Sequence, residues 1–142
     1  METVVRGEGK RSVQVLFDLE AISHRAAQIF VGLSRSGMAS RGQFSVAISG
    51  GSTPRRLYTL LSSPPYRNQV DWQRVHFFWA DERCVPIEDE GSNFKAAFDR
   101  LLSKVPIPDG NIHRIKGEEE PEKAAKIEEH TSELQSHLNL VC

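Results

Sequence analysis

The chain has 142 residues, enough for one domain with its own core and too few for two comfortable ones. Charged residues make up 26% and nearly cancel to a net charge of −1, with a pI near 6.5, which argues against nucleic acid or a membrane surface as partner. Cys84 and Cys142 form neither a disulfide framework nor a metal spacing, and no apolar run has the length of a membrane span or the flanks of a signal peptide, so the expectation is a soluble, cytoplasmic protein.

In chain order, residues 1–12 are polar and read as a frayed lead-in, and VQVLF (13–17) as a short strand. Asp18 is a good N-cap for a helix with apolar residues at Leu19, Ile22, Ala26, Ile29, Phe30 and Leu33, ending near Gly37. FSVAI (44–48) reads as a buried strand. Thr53 then caps a helix whose first residue is Pro54, where the missing N–H does no harm, and which stops before the SSPPY breaker. VHFFWA (75–80) is a continuous apolar run suited to a parallel strand covered on both faces. Ser92 caps a helix over NFKAAFDRLLSKV, IHRI (112–115) is a further strand, and GEEEPEKAAKIEE is a charged, exposed helix with its approach. Strand and helix alternate, which predicts an α/β domain with a mostly parallel sheet and right-handed crossovers.

In such units ligands sit beyond the carboxyl ends of the strands. Two polar clusters fall there. After strand 44–48 come Ser49, Gly50, Gly51, Ser52 and Thr53: glycines let backbone N–H groups approach a ligand, hydroxyls add donors, and the next helix adds its positive end. Phosphate is the natural guest, although the loop matches neither a Walker A nor a GxGxxG pattern, and an ordinary Gly-rich turn fits the same spacing. After the next strand come Asp81, Glu82 and Arg83. A carboxylate there can orient water or a sugar hydroxyl, and Arg83 offers a planar fork to an anion; a surface turn is the plain alternative. Cys84 lacks a positioned base and reads as a semi-buried structural thiol, and His24, His76 and His113 lack metal-ligand spacing. Arg55 and Arg56, in a first helical turn, contact an anion or simply solvate that surface.

AISGGSTPRRLYTLL, VDWQRVHFFWADERCVP, GSNFKAAFDRLLSKVPIP and NIHRIKGE, taken in order, closely resemble the 6-phosphogluconolactonases over about residues 10–128. The resemblance implies a Rossmann-like doubly wound sheet, incomplete in this chain, and hydrolysis of 6-phospho-glucono-1,5-lactone to 6-phosphogluconate with no cofactor and no metal. By position it implies that Ser49, Gly50, Gly51, Ser52 and Thr53 line the pocket of the phosphorylated sugar lactone, that Asp81 holds polar groups of the substrate, and that Arg83 binds anionic oxygen. Related isomerases and deaminases carry a similar loop and Asp-Glu pair, but the deaminases typically have tyrosine where this chain has Arg83. The family's histidine lies in a later Asp-Gly-His-Thr-Ala-Ser motif that this sequence lacks; His130-Thr131-Ser132 follows Glu128 and Glu129 in place of Asp-Gly and takes no catalytic role.

Residues 128–142 do not resemble the family. EEHTSELQS is the translation of a common sequencing-library adapter, so residues 1–127 are expected to be the N-terminal part of a lactonase-like domain and the tail an assembly artefact. A short amphipathic helix with Leu134, Leu138 and Val141 at helical spacing is the alternative. The expectation is therefore a lactonase by family that is weakly active or inactive as this chain. A related isomerase or deaminase, or a sugar-phosphate binding module without turnover, stays open.

Overall fold

The computed structural model of the chain describes residues 3–6, 9 and 12–119. The order is β1 (Thr3–Arg6), β2 (Ser12–Val15), α1 (Leu19–Arg41), β3 (Phe44–Ile48), α2 (Thr53–Leu61), β4 (Val75–Trp79), α3 (Asn93–Arg100) and β5 (Ile112–His113). The lead-in is not frayed throughout: β1 and β2 pair antiparallel, Thr3 opposite Val15.

Asp18 caps α1 as expected, its Oδ1 accepting the Ala21 N–H at 2.8 Å. The helix does not stop at Gly37 but runs to Gly42, which takes the left-handed φ of 73° and donates its N–H to the Met38 carbonyl. Gly37 serves packing instead: a Cβ there would lie 3.0 Å from the Gln43 carbonyl oxygen and 3.3 Å from the Phe44 ring. The helical spacing of α1 is real, yet Leu19, Ile22, Ile29 and Leu33 are exposed. The face turned to the core is Ser23, Ala27, Phe30, Val31, Ser34 and Gly37.

The three-stranded sheet has the order β3-β4-β5, all parallel, with Phe44 opposite Val75, Ile48 opposite Trp79 and Phe77 opposite Ile112. Alternation sends Phe44, Val46, Ile48, Val75, Phe77, Trp79 and Ile112 to one face. There they meet Phe30 and Val31 of α1, Tyr58 and Leu61 of α2, and Ala97 and Leu101 near α3. Phe30 stands edge-on to Phe44 at 5.3 Å, and the rings of Phe30, Trp72 and Phe77 stack at 6.0 to 6.4 Å. The other face carries Ser45, Ala47, His76, Phe78 and His113. His76 Nδ1 and His113 Nε2 share a hydrogen bond of 3.1 Å, and the His113 ring lies on Phe78. Among the described residues all three helices pack on the first face, so helices cover β4 from one side, while on the other Phe78 is buried beneath the His113 ring.

Two elements end early. Helix α3 stops at Arg100 because Leu101 leaves helical dihedrals, and a 3-10 turn over Leu102–Lys104 follows. Strand β5 has two residues rather than four, which frees 114–117 to turn back toward β4. The expectations for residues 120–142 lie outside the described residues.

Candidate functional site

The site is assembled where β3, β4 and β5 end. Ala80 donates its N–H to the Ile48 carbonyl at 2.8 Å, so the chain segments leaving β3 and β4 start side by side.

The first junction, β3 to α2, is open. Gly51 sits at φ 94°, a turn that side chains rarely allow. Ser52, not Thr53, is the N-cap. It has helical dihedrals and makes no side-chain capping bond, and the first turn of α2 holds no acidic residue. Ser49, Gly51, Ser52 and Thr53 are exposed or nearly so. The loop is held from below by Tyr58, whose hydroxyl donates to the Ser49 carbonyl at 2.6 Å. Burial pushes the Tyr58 phenol far above its ordinary value, so it stays a donor. Of the two arginines in this turn, Arg56 is engaged by Glu20 of α1 through bonds of 2.7 and 2.6 Å, which holds the Glu20 carboxyl down to about 2. Arg55 is exposed and has no carboxylate partner among the described residues.

The second junction, β4 to α3, is closed by the chain itself. The Glu82 carboxylate accepts the backbone N–H groups of Asn93 (2.7 Å) and Phe94 (2.9 Å), the Ser92 hydroxyl (3.2 Å) and the Arg83 N–H (2.7 Å). Ser92 Oγ in turn accepts the Lys95 N–H at 3.2 Å, as the sequence predicts for an N-cap. A negative group thus already occupies the positive end of α3. Asn93, 5% exposed, donates from Nδ2 to the Asp81 carbonyl (3.1 Å) and more weakly to Oδ1 (3.4 Å). On its other side the carboxamide lies against Gly50, where any Cβ would collide with it.

The third strand end closes the set. Gly117 packs on the Arg83 carbonyl so tightly that a Cβ has no room. Arg114 pairs with Glu118, keeping that carboxyl at about 2, and lies 5.5 Å over the Phe94 ring.

The structure therefore brings Gly50 and Asp81 together through Asn93 and leaves Asp81 and Arg83 exposed. No carboxylate lies within 4.0 Å of the Arg83 guanidinium among the described residues. Cys84 is exposed, which corrects the semi-buried reading: it sits at the centre of a tight surface turn closed by the Val85 N–H on the Arg83 carbonyl. Sequence reasoning passed over Tyr58, Glu82 and Asn93 as structural parts of the site. An asparagine directly after a Ser cap was a usable signal, because asparagine is a poor helix former. Nothing in the sequence marked Gly117. Among the described residues no three His, Cys, Asp or Glu side chains are grouped to hold a metal ion. No helix there is long and apolar enough to cross a membrane.

Comparison with known proteins bears on the same region. The family model described as glucosamine-6-phosphate isomerases/6-phosphogluconolactonase matches residues 18–141. The chain is 44% identical over 114 residues to "6-phosphogluconolactonase 3, chloroplastic" of Arabidopsis thaliana, covering 80% of this chain and 34% of that protein. Among solved structures, the devB protein superposes with a TM-score of 0.69 at 41% identity, over 77% of this chain and 44% of the other. The 6-phosphogluconolactonase of Thermotoga maritima does so with a TM-score of 0.71 at 28% identity, over 87% and 53%. The chain thus spans about a third of the curated relative and about half of each solved structure.

Proposed function

As the chain belongs to the glucosamine-6-phosphate isomerase/6-phosphogluconolactonase family, we propose that it carries the sugar-phosphate-binding half of a 6-phosphogluconolactonase site. The observation that supports this most is the contrast at the strand ends: the start of α2 has no side-chain cap and no acidic residue of its own, while exposed Asp81 is joined through Asn93 to the Gly50 turn and exposed Arg83 has no carboxylate partner among the described residues. In this reading the 49–53 loop and the start of α2 receive anionic oxygen of 6-phospho-glucono-1,5-lactone, from its phosphate or its ring ester. Arg83 adds a bidentate cation, and Asp81 accepts from sugar hydroxyls. Hydrolysis requires water to attack the lactone carbonyl, a base to take its proton and donors to steady the oxyanion. The described residues offer donors at these loops, but the family's Asp-Gly-His-Thr-Ala-Ser motif is missing from the sequence. The chain by itself is therefore a binder with turnover at or near background.

Two measurements on the purified, folded chain test this. Titration with 6-phosphogluconate should show weak saturable binding that Arg83→Ala abolishes. Hydrolysis of freshly generated lactone, with the spontaneous rate subtracted, should be near zero. Absence of binding sinks the reading, and robust turnover sinks its second half. A related isomerase or deaminase activity is disfavoured by Arg83, whose place tyrosine typically takes in deaminases. Although the Arabidopsis relative is named as chloroplastic, the compartment we propose is the cytoplasm, to be checked with a fluorescent fusion in the source cells.

A further inference from the structure

We infer that Asn93 is a positioning residue of the site proposed above: its side-chain amide sets the distance between the Gly50 turn and Asp81. The inference rests on the lactonase reading. A role in α3 does not account for this residue, because Ser92 already caps the helix and the backbone N–H of Asn93 is already taken by Glu82. The side chain looks the other way. One side donates to the Asp81 carbonyl and carboxylate, the other lies on the bare backbone of Gly50. It is a spacer buried between two ligand-facing turns, and each turn has adapted to it: one by lacking a side chain, the other by offering two acceptors.

The chemistry requires a donor toward Asp81. An acceptor placed there would face a carbonyl and a carboxylate and push the β4 turn away. Because the two turns approach the same substrate, their separation fixes how the anion end and the hydroxyl end of a phosphorylated sugar can be held together.

Asn93→Asp keeps the shape and removes the donor. It also keeps the helix end supplied with a residue that a helix N-terminus tolerates well. In amide NMR spectra at neutral pH, Gly50, Gly51 and Asp81 should shift clearly more in Asn93→Asp than in Ser92→Ala, which removes the cap and the hydroxyl bond to Glu82 but leaves the Asn93 side chain intact. Affinity for 6-phosphogluconate should fall about tenfold. Acidification to about pH 4.5 should move the amides back toward wild type, because a proton shared between residues 93 and 81 replaces the lost N–H. A purely structural lesion has no reason to recover in acid. If Asn93→Asp does not fold, Asn93→Ser is read instead, with the same loss of affinity and no recovery in acid. Wild-type binding matched by the folded variant overturns the role of Asn93 alone. Failure of the wild type to bind overturns the lactonase reading, and the role of Asn93 with it.

Discussion

The two strand-to-helix junctions of the sheet meet opposite fates. At the end of β4, Glu82 folds back onto the first N–H groups of α3, and Ser92 completes the cap. At the end of β3, two glycines and exposed hydroxyls lead into α2 with no cap and no acid. Both helix ends attract negative charge. One has been satisfied from within, and the other stays open, which is why we propose it as the place of the ligand. The difference teaches where to look for a ligand: not at every helix N-terminus, but at the one the chain declines to fill.

The sharpest way to break the comparison is to empty the closed junction. Glu82→Ala strips a carboxylate from three backbone N–H groups and a hydroxyl, and should destabilise the chain by about 2–3 kcal/mol in urea unfolding. An unchanged midpoint would mean that water replaces the carboxylate at no cost. Gly50→Ala drives a methyl into the Asn93 amide and should cost about 1–3 kcal/mol. Its measurable mark beyond stability is loss of 6-phosphogluconate binding. The serines sharpen the contrast further. Ser92→Ala should cost about 1 kcal/mol, whereas Ser52→Ala, with no capping bond to lose, should leave stability within about 0.5 kcal/mol. Equal losses at the two serines would erase the distinction between the junctions.

The smallest effect concerns the strap that ties the open junction's helix to α1. The Glu20 carboxyl is held at about 2 by Arg56, below its ordinary 4.5, so its folded-state value is depressed. Its contribution to stability is complete above the ordinary value and disappears as pH falls toward about 2. Urea midpoints recorded through that window should fall slightly less steeply for Glu20→Gln than for wild type. His113 acts in the same direction at higher pH: burial, with His76 alongside, lowers its value below 6.5, so stability is lost as pH drops beneath that point.

Much of the architecture was legible because its causes are local. Asp18 and Ser92 cap their helices through their own side chains, and the strand-helix alternation dictates a parallel sheet whatever the packing details. What escaped depends on contacts distant in sequence. Gly37 looks like a helix stop and is a contact point for Phe44. The stripe through Leu19 and Leu33 has perfect helical spacing, but spacing cannot say which side of a helix meets the sheet. In the site, the Ser-Gly-Gly-Ser-Thr loop and Asp81 stood out by composition. Glu82 stood out with them, but its role in filling a helix end ten residues away did not, and Asn93 did not stand out at all.

The outward stripe of α1 has a practical consequence. A folded chain that holds Leu19, Ile22, Ile29 and Leu33 against water offers hydrophobic dyes a surface they ordinarily find only after unfolding begins. Dye-based melting curves will start bright and rise little, and a sound sample will score as a damaged one. Its quality is better judged by far-ultraviolet dichroism and by the fluorescence of Trp72 and Trp79, both packed in the core.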